Sequence, residues 1–254
     1  MSKFKNYSVL AAAFILSVVI FSTAILLSTN GRYFFSSHNS DISVTGSASM
    51  NFISDLVVWE GEFKTHEMDL KEAYGLIKKD KQVIREFLIS KGVDESDFSF
   101  LAIGIQQKFR TENHFNTEGD LVHRESIPEG YELSQRIKIN STEIDLVERI
   151  SNEVTELIEQ DVFISSFSPK YFYTRLGELK IEMIRLAAED GRLRATTAVE
   201  GGRAHLGGLI ETEIGVFQIL GANSNDSFSW GGTLNTQHKQ KTAFVNVKQR
   251  YEVE

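Results

Sequence analysis

Apolar and polar residues change period along the chain, and each change marks an element. Ile42, Val44, Ala48 and Met50 alternate with Ser43, Thr45, Ser47 and Ser49. A period of two is that of a strand with one covered face, and Gly46 interrupts it where a bulge fits. Val57, Trp59, Gly61 and Phe63 alternate in the same way after a turn over 51–55, so the two runs predict a hairpin. The period then becomes helical: Leu70, Ala73, Tyr74, Ile77, Ile84, Phe87 and Leu88 share one side, with Asp69 placed to cap the start and Gly92 the end. Strand periodicity returns over 98–109, where Leu101, Ile103, Ile105, Gln107 and Phe109 share a face. Residues 110–130 are charged and polar and predict a long loop or an extended hairpin arm. Tyr131, Leu133, Gln135, Ile137 and Ile139 then alternate with polar residues, as in a strand with one solvated face. Ser141 or Thr142 is placed to cap a helix that buries Ile144, Val147, Ile150, Val154 and Leu157/Ile158, and a strand over 162–172 follows.

The stretch from Gly177 to Gly208 organises the rest. Gly177, Ile181, Ile184, Ala188, Gly191, Ala195, Ala198 and Gly202 recur at alternating steps of four and three, which places all eight on one side of a helix. Most are small. A stripe of glycine and alanine has little apolar area to bury, but it lets another backbone come close. Leu179, Met183, Leu186 and Leu193 widen that side, and Arg185–Glu189 and Asp190–Arg194 are spaced as i,i+4 pairs. Strands over 209–219 and 242–253 close the chain, separated by a polar, glycine-rich excursion that carries Trp230. The order is ββαββαβαββ: an α+β fold with an antiparallel or mixed sheet and about three helices packed on it.

Val9 to Leu27 is uncharged and about as long as a bilayer core requires. Lys3 and Lys5 precede it, so the positive-inside rule predicts an N-terminal transmembrane signal anchor over 1–30, with the N-terminus in the cytoplasm and the remainder exported. A cleaved signal peptide, releasing the protein to the periplasm, is the alternative; the apolar run is longer than such peptides use. Residues 31–40 form a tether and 41–254 the domain. The chain has 27 basic and 35 acidic residues, and two of the basic ones precede the anchor, so the exported part is formally −10. That charge disfavours nucleic acid and anionic lipid, and leaves the anchor as the membrane contact. With no cysteine, disulfides, thiolate metal sites and cysteine nucleophiles are excluded.

Three sets of residues resemble one known family. Ala188, Asp190, Gly191, Arg192, Arg194, Ala195 and Ala198, followed by Gly202, Leu206 and Gly207, resemble the SIMPL-domain helix A-x-x-D-A-R-x-R-A-x-x-x-A and its G-x-x-L-G sequel. Ile42 to Ser49, around Gly46, resembles the family's opening strand, and Gly130-Tyr131 its central G-Y strand. Gly191 stands where the family usually has alanine. The resemblance covers about 41–254. It implies a bacterial, exported or membrane-anchored protein, with links to oligomeric assembly and envelope stress, and brings no catalytic residue.

The remaining candidates are sparse. Asp190, Arg192 and Arg194 suit an anion site or an interface clamp, or ordinary surface ion pairs. Glu60 with Glu62, and Glu211 with Glu213, share strand faces and would serve a carboxylate hydrolase, though their spacing selects no such role. The six histidines form no metal-binding motif; His114 and His123, in one loop, are the only pair of interest. Trp230 is a candidate interface anchor. The expectation is therefore a non-enzymatic, membrane-anchored envelope protein that forms homo-oligomers, with no catalytic residue, cofactor or metal and with an unknown protein partner. The rival is a periplasmic binding module for a small ligand or peptide, working through the Trp230 loop.

Overall fold

A computed structural model describes residues 17–23, 25 and 40–254. The segment 17–23 is helical; the rest of the expected anchor, and most of the tether, lie outside the described residues. Among the described residues no helix is long and apolar enough to cross a membrane. Eleven strands and three further α-helices follow: β1 Asp41–Ile53, β2 Leu56–Glu67, α1 Leu70–Ser90, β3 Phe98–Phe100, β4 Gly104–Phe115, β5 Leu121–Ser141, α2 Ile144–Glu153, β6 Ile164–Ser166, β7 Lys170–Phe172, α3 Leu176–Gly201, β8 Leu206–Ile214, β9 Gln218–Gly221, β10 Thr233–Leu234 and β11 Gln240–Val253. The fold is α+β with two sheets. One has the order β1-β11-β9-β10, with β8 also on β11; the other has the order β3-β5-β2-β6, with β4 on β5 and β7 on β2.

The chain divides into two compact units. One takes the described part of Met1–Gly46 with Ala188–Glu213 and Val247–Glu254; the other takes Ser47–Ala187 and Ile214–Asn246.

In the larger unit the predicted alternation of β2 holds: Val57, Trp59, Phe63 and Thr65 are buried. They face the inward residues of β5, in register Trp59↔Ile139 and Phe63↔Gln135. Ala73, Ile77, Ile84 and Leu88 of α1 and Val147 and Ile150 of α2 complete this core. Each fully buried aliphatic side chain here contributes about 1.5–3 kcal/mol. Asp69 caps α1 by accepting from the Lys71 and Glu72 amides at 2.8 and 3.1 Å. Gly92, at φ +96, ends that helix, with the Val93 amide donating to Leu88 O. The α2 cap differs from expectation. Glu143 holds the N-cap position, and Ser141 Oγ instead accepts from the Glu143 amide at 3.2 Å.

The expected β1–β2 hairpin is not formed: the two strands lie in different sheets. Their connection, Ser54-Asp55, is tied elsewhere. The Ser54 amide donates to Lys239 O, the Asp55 amide to Phe172 O, and the Asp55 carboxylate accepts from Thr174 N and Oγ1. These bonds turn the chain out of one sheet and into the other. Residues 162–172 and 209–219, each expected as one strand, are broken into β6 and β7 and into β8 and β9. The 222–241 excursion carries β10, parallel to β9, and is pinned by Asp226, which accepts from Gly221 N at 2.8 Å and Asn235 Nδ2 at 2.7 Å.

The helix α3 corrects the predicted stripe. Within the larger unit it buries Leu179, Met183 and Ala187; within the smaller, Gly191, Ala195 and Val199. These are uniform steps of four. Gly177, Ala198 and Gly202 are exposed, Ile181 is 71% exposed and Leu193 66%. Steps of four drift by about 40° each around a helix of 3.6 residues per turn, so the buried line winds instead of keeping to one side. The helix also stops earlier than read from sequence. Arg203, at φ 63, takes the left-handed position; its amide donates to Glu200 O and that of Ala204 to Val199 O. That is a Schellman stop built on arginine where glycine is usual.

Candidate functional site

The family-like residues fall into two places. Gly191, Ala195 and Gly46 are buried, and Ala188 and Asp190 are half-buried. Arg192 and Arg194 are exposed, and Arg194 Nε donates to Asp190 Oδ2 at 2.9 Å along the helix. This is the i,i+4 ion pair of a solvated face, worth a few tenths of a kcal/mol. Arg185 pairs with Glu182, three residues before it. Leu206 and Gly207 lie in β8, half-buried, and not on the helix.

Gly191 explains itself by contact. A Cβ there would lie 2.1 Å from Gln249 Oε1 and 3.3 Å from the Gly46 amide nitrogen. Gln249 is buried on β11, only 4% exposed, and its Oε1 has no partner among the described residues. Gly191→Ala is therefore expected to lower stability by up to about 2 kcal/mol: overpacking costs roughly 1–3, and alanine returns about 1 through helix propensity. Removing the carboxamide with Gln249→Ala makes room for the methyl, so the double variant should be more stable than the single effects sum to. Thermal melts of the four proteins measure this, and strictly additive effects contradict it.

Gly130 and Tyr131 belong to β5, where Tyr131 pairs with Glu67 at the end of β2 and packs half-buried on the core. Gly130 is buried with φ +95.

The carboxylate pairs gain no common chemistry. Glu62 meets Arg136 at 3.2 Å and Lys64 at 3.7 Å. Glu211 meets Arg250 at 3.0 Å, and Arg250 also meets Asp41 at 3.4 Å. His114 and His123 oppose each other between β4 and β5, their rings stacked with centroids 5.9 Å apart, and His114 Nε2 lies 3.7 Å from Glu125. Among the described residues no group of three His, Asp or Glu is arranged to hold a metal. Trp230 is fully exposed in the loop before β10.

Two charged residues stand out where sequence reading passed over them. Asp80 lies on the buried side of α1, 9% exposed, between Ile77 and Ile84. Burial pushes its carboxyl above the usual carboxylate range, and Lys79 offsets this only in part. It opens onto a cavity of about 480 Å³ that Leu76 and Phe163 also line. The signal was present: the apolar side of α1 runs 70, 73, 77, 84, 88 with a charge at the missing step. The second is Lys241, in the inward phase of β11 and 1% exposed. Its Nζ donates to Tyr171 O at 2.6 Å, and burial lowers its pKa to about 8. Nearby, the Tyr171 hydroxyl donates to Glu148 Oε1 at 2.8 Å; burial first, then this bond, raises its pKa to about 12. Lys239 bridges Asp145 at 2.5 Å and Glu148 at 3.5 Å.

Beyond its core the larger unit extends a two-stranded arm. The strands β4 and β5 pair from Phe109↔Pro128 out to Phe115↔Leu121, closed by a turn in which Asn116 Oδ1 accepts from the Glu118 and Asp120 amides. Nearly all of β4 is exposed, including Ile105, Phe109 and Phe115, with Leu121 and Val122 across from it.

Residues 42–247 match the model of the family described as SIMPL, protein of unknown function (DUF541). The chain belongs to the SIMPL family. Among curated proteins no match was found. The match takes in the opening strand with Gly46, the β5 strand with Gly130 and Tyr131, and the whole of α3. The Asp80 cavity and the β4–β5 arm lie within the SIMPL region as well.

Proposed function

We propose that this SIMPL chain is a non-catalytic envelope protein, held on the outer side of a bacterial cytoplasmic membrane by its N-terminal apolar segment, that assembles with copies of itself. The arm carries this reading. An isolated two-stranded hairpin is marginal in water, yet this one exposes several large apolar side chains. Among the described residues β4 pairs only with β5, so its outer edge offers unpaired backbone groups that template a further strand. The sequence of β4 complements itself. Two copies run antiparallel about Thr111 set Arg110 of each opposite Glu112 of the other, as a two-fold axis requires. The apolar run Val9 to Leu27 with Lys3 and Lys5 before it supports the anchor and its orientation, and a role in envelope stress follows the family resemblance alone.

The chain has no cysteine, so Thr111→Cys introduces the only thiol. In intact cells under mild oxidation it should give a covalent dimer, and the thiol should react with a maleimide that does not cross the cytoplasmic membrane. Lys78→Cys, on the exposed side of α1, should label without dimerising. Equal dimer from both variants, or none from Thr111→Cys, counts against pairing through the arm; failure of both to label counts against the exported orientation.

A further inference from the structure

The cavity beside α1 has the chemistry of a cation site. Asp80 is nine-tenths buried and lines it, and among the described residues no hydrogen bond or ion pair reaches the Asp80 carboxylate. A carboxylate largely withdrawn from water without a partner is costly, and natural folds tend to compensate it. The other charges facing the cavity do not supply that compensation. Lys64 is engaged by Glu62 at 3.7 Å and Glu132 at 3.9 Å, and Glu132 is further held by Lys108 at 3.1 Å. His66 Nε2 is bonded to Glu129 O at 2.7 Å. Asp161, at the same cavity, adds a second carboxylate without an ion pair among the described residues. The unbalanced charge is therefore negative.

The walls set the shape of the occupant. Leu76 and Phe163 line the cavity, and both are exposed, Phe163 at 65%. An aromatic ring and a leucine at the mouth offer apolar surface beside one buried anion. A volume of about 480 Å³ lies in the range of small-molecule sites, about 300–1,000 Å³. We propose that this cavity binds a small organic ammonium ion, with the charged nitrogen on Asp80 and an apolar or aromatic body against Phe163 and Leu76. The site lies wholly in the larger unit and does not depend on self-assembly through the arm.

The same chemistry is carried by a free amine and by a lysine side chain, so the test uses both. Phenethylammonium, 3-phenylpropionate and Nα-acetyl-lysine methylamide are titrated into the full-length chain and followed by calorimetry and saturation-transfer NMR. Phenethylammonium should bind, the anion of matching shape should not, and the lysine derivative should bind more weakly because it lacks the ring. Asp80→Asn keeps the shape, removes the charge and relieves its burial, so it should fold at least as well as the parent. It should weaken phenethylammonium about tenfold or more, as expected for loss of a charge-assisted hydrogen bond. Phe163→Ala should narrow the gap between phenethylammonium and the lysine derivative. Equal binding of cation and anion, undiminished binding to Asp80→Asn, or no binding of either amine at millimolar concentration overturns the proposal; tighter binding of the lysine derivative than of phenethylammonium overturns the assignment to a free amine.

Discussion

Gly130→Ala is expected to destabilise the larger unit by about 2–5 kcal/mol. Two independent costs meet at this position. The backbone stands at φ +95, a region that costs a residue with a Cβ roughly 1–2 kcal/mol. The added methyl would also lie 2.3 Å from Glu67 O and 2.9 Å from both Glu67 C and Met68 Cα. These are backbone atoms, where β2 ends and the chain turns toward α1, and no rotamer change can move them aside. Overpacking of this kind costs roughly 1–3 kcal/mol. Because Tyr131 pairs with Glu67 in the adjoining ladder position, the displacement would spread into the β2–β5 register. Equilibrium urea unfolding of parent and variant measures the loss, and a change under about 1 kcal/mol, below the low end of that overpacking cost, would contradict the claim that only glycine fits at position 130.

Lys241→Met is expected to remove a pH dependence of about 3.5 kcal/mol and to raise stability at neutral pH. The lysine is buried and, among the described residues, hydrogen-bonded only to Tyr171 O, and burial lowers its pKa from 10.5 to about 8. Below pH 8 the amine is charged in both folded and unfolded chains, and the folded chain bears the whole cost of desolvating it. Between about pH 8 and 10.5 the unfolded chain still binds the proton and the folded chain does not, so stability rises with pH across that window. Each pH unit that separates the two pKa values is worth about 1.4 kcal/mol, which makes the rise about 3.5 kcal/mol. Methionine has similar length and no charge, and it sacrifices one hydrogen bond worth about 1–3 kcal/mol, so its gain at pH 7 is smaller, about 0.5–2.5 kcal/mol. Unfolding curves at pH 7 and pH 10 for both proteins separate this from other groups that titrate in the window. Parallel pH profiles for parent and variant would contradict it.

Much of this fold is legible in the pattern of the chain because burial is one-sided. The alternation of β2 and β5, the apolar side of α2 and the caps Asp69 and Gly92 follow from elementary periodicity, and the structure uses them as read. The hairpin failed because strand partners are chosen by bonds far away in sequence: Ser54 and Asp55 are fixed by Lys239, Phe172 and Thr174. The α3 stripe failed for a different reason. That helix carries apolar or small residues at both the four-three and the four-four positions, so periodicity alone admits two stripes, and only the packed neighbours choose between them. Gly191 sits on both, and what fixes it as glycine is the Gln249 side chain, 58 positions later in the sequence.

The charges at candidate sites were legible in principle. Asp80 and Lys241 each occupy a position that the surrounding period assigns to the interior, and a charge at such a position signals a functional or strained site. Glu62, Glu211, His114 and His123, singled out by residue type, proved to be already engaged by arginine, lysine or one another. Position within the period was the better guide than chemical identity.

Self-assembly is tested most directly by the mass of the full-length chain in detergent, measured by light scattering or native mass spectrometry over a wide concentration range. One chain weighs 28.7 kDa. The account predicts an integer multiple of that mass for the parent. It predicts a single chain for Arg110→Glu, which opposes like charges across the proposed two-fold, and recovery of the multiple when Glu112→Arg is added. A parent mass of one chain throughout, or an assembly indifferent to both substitutions, would contradict it.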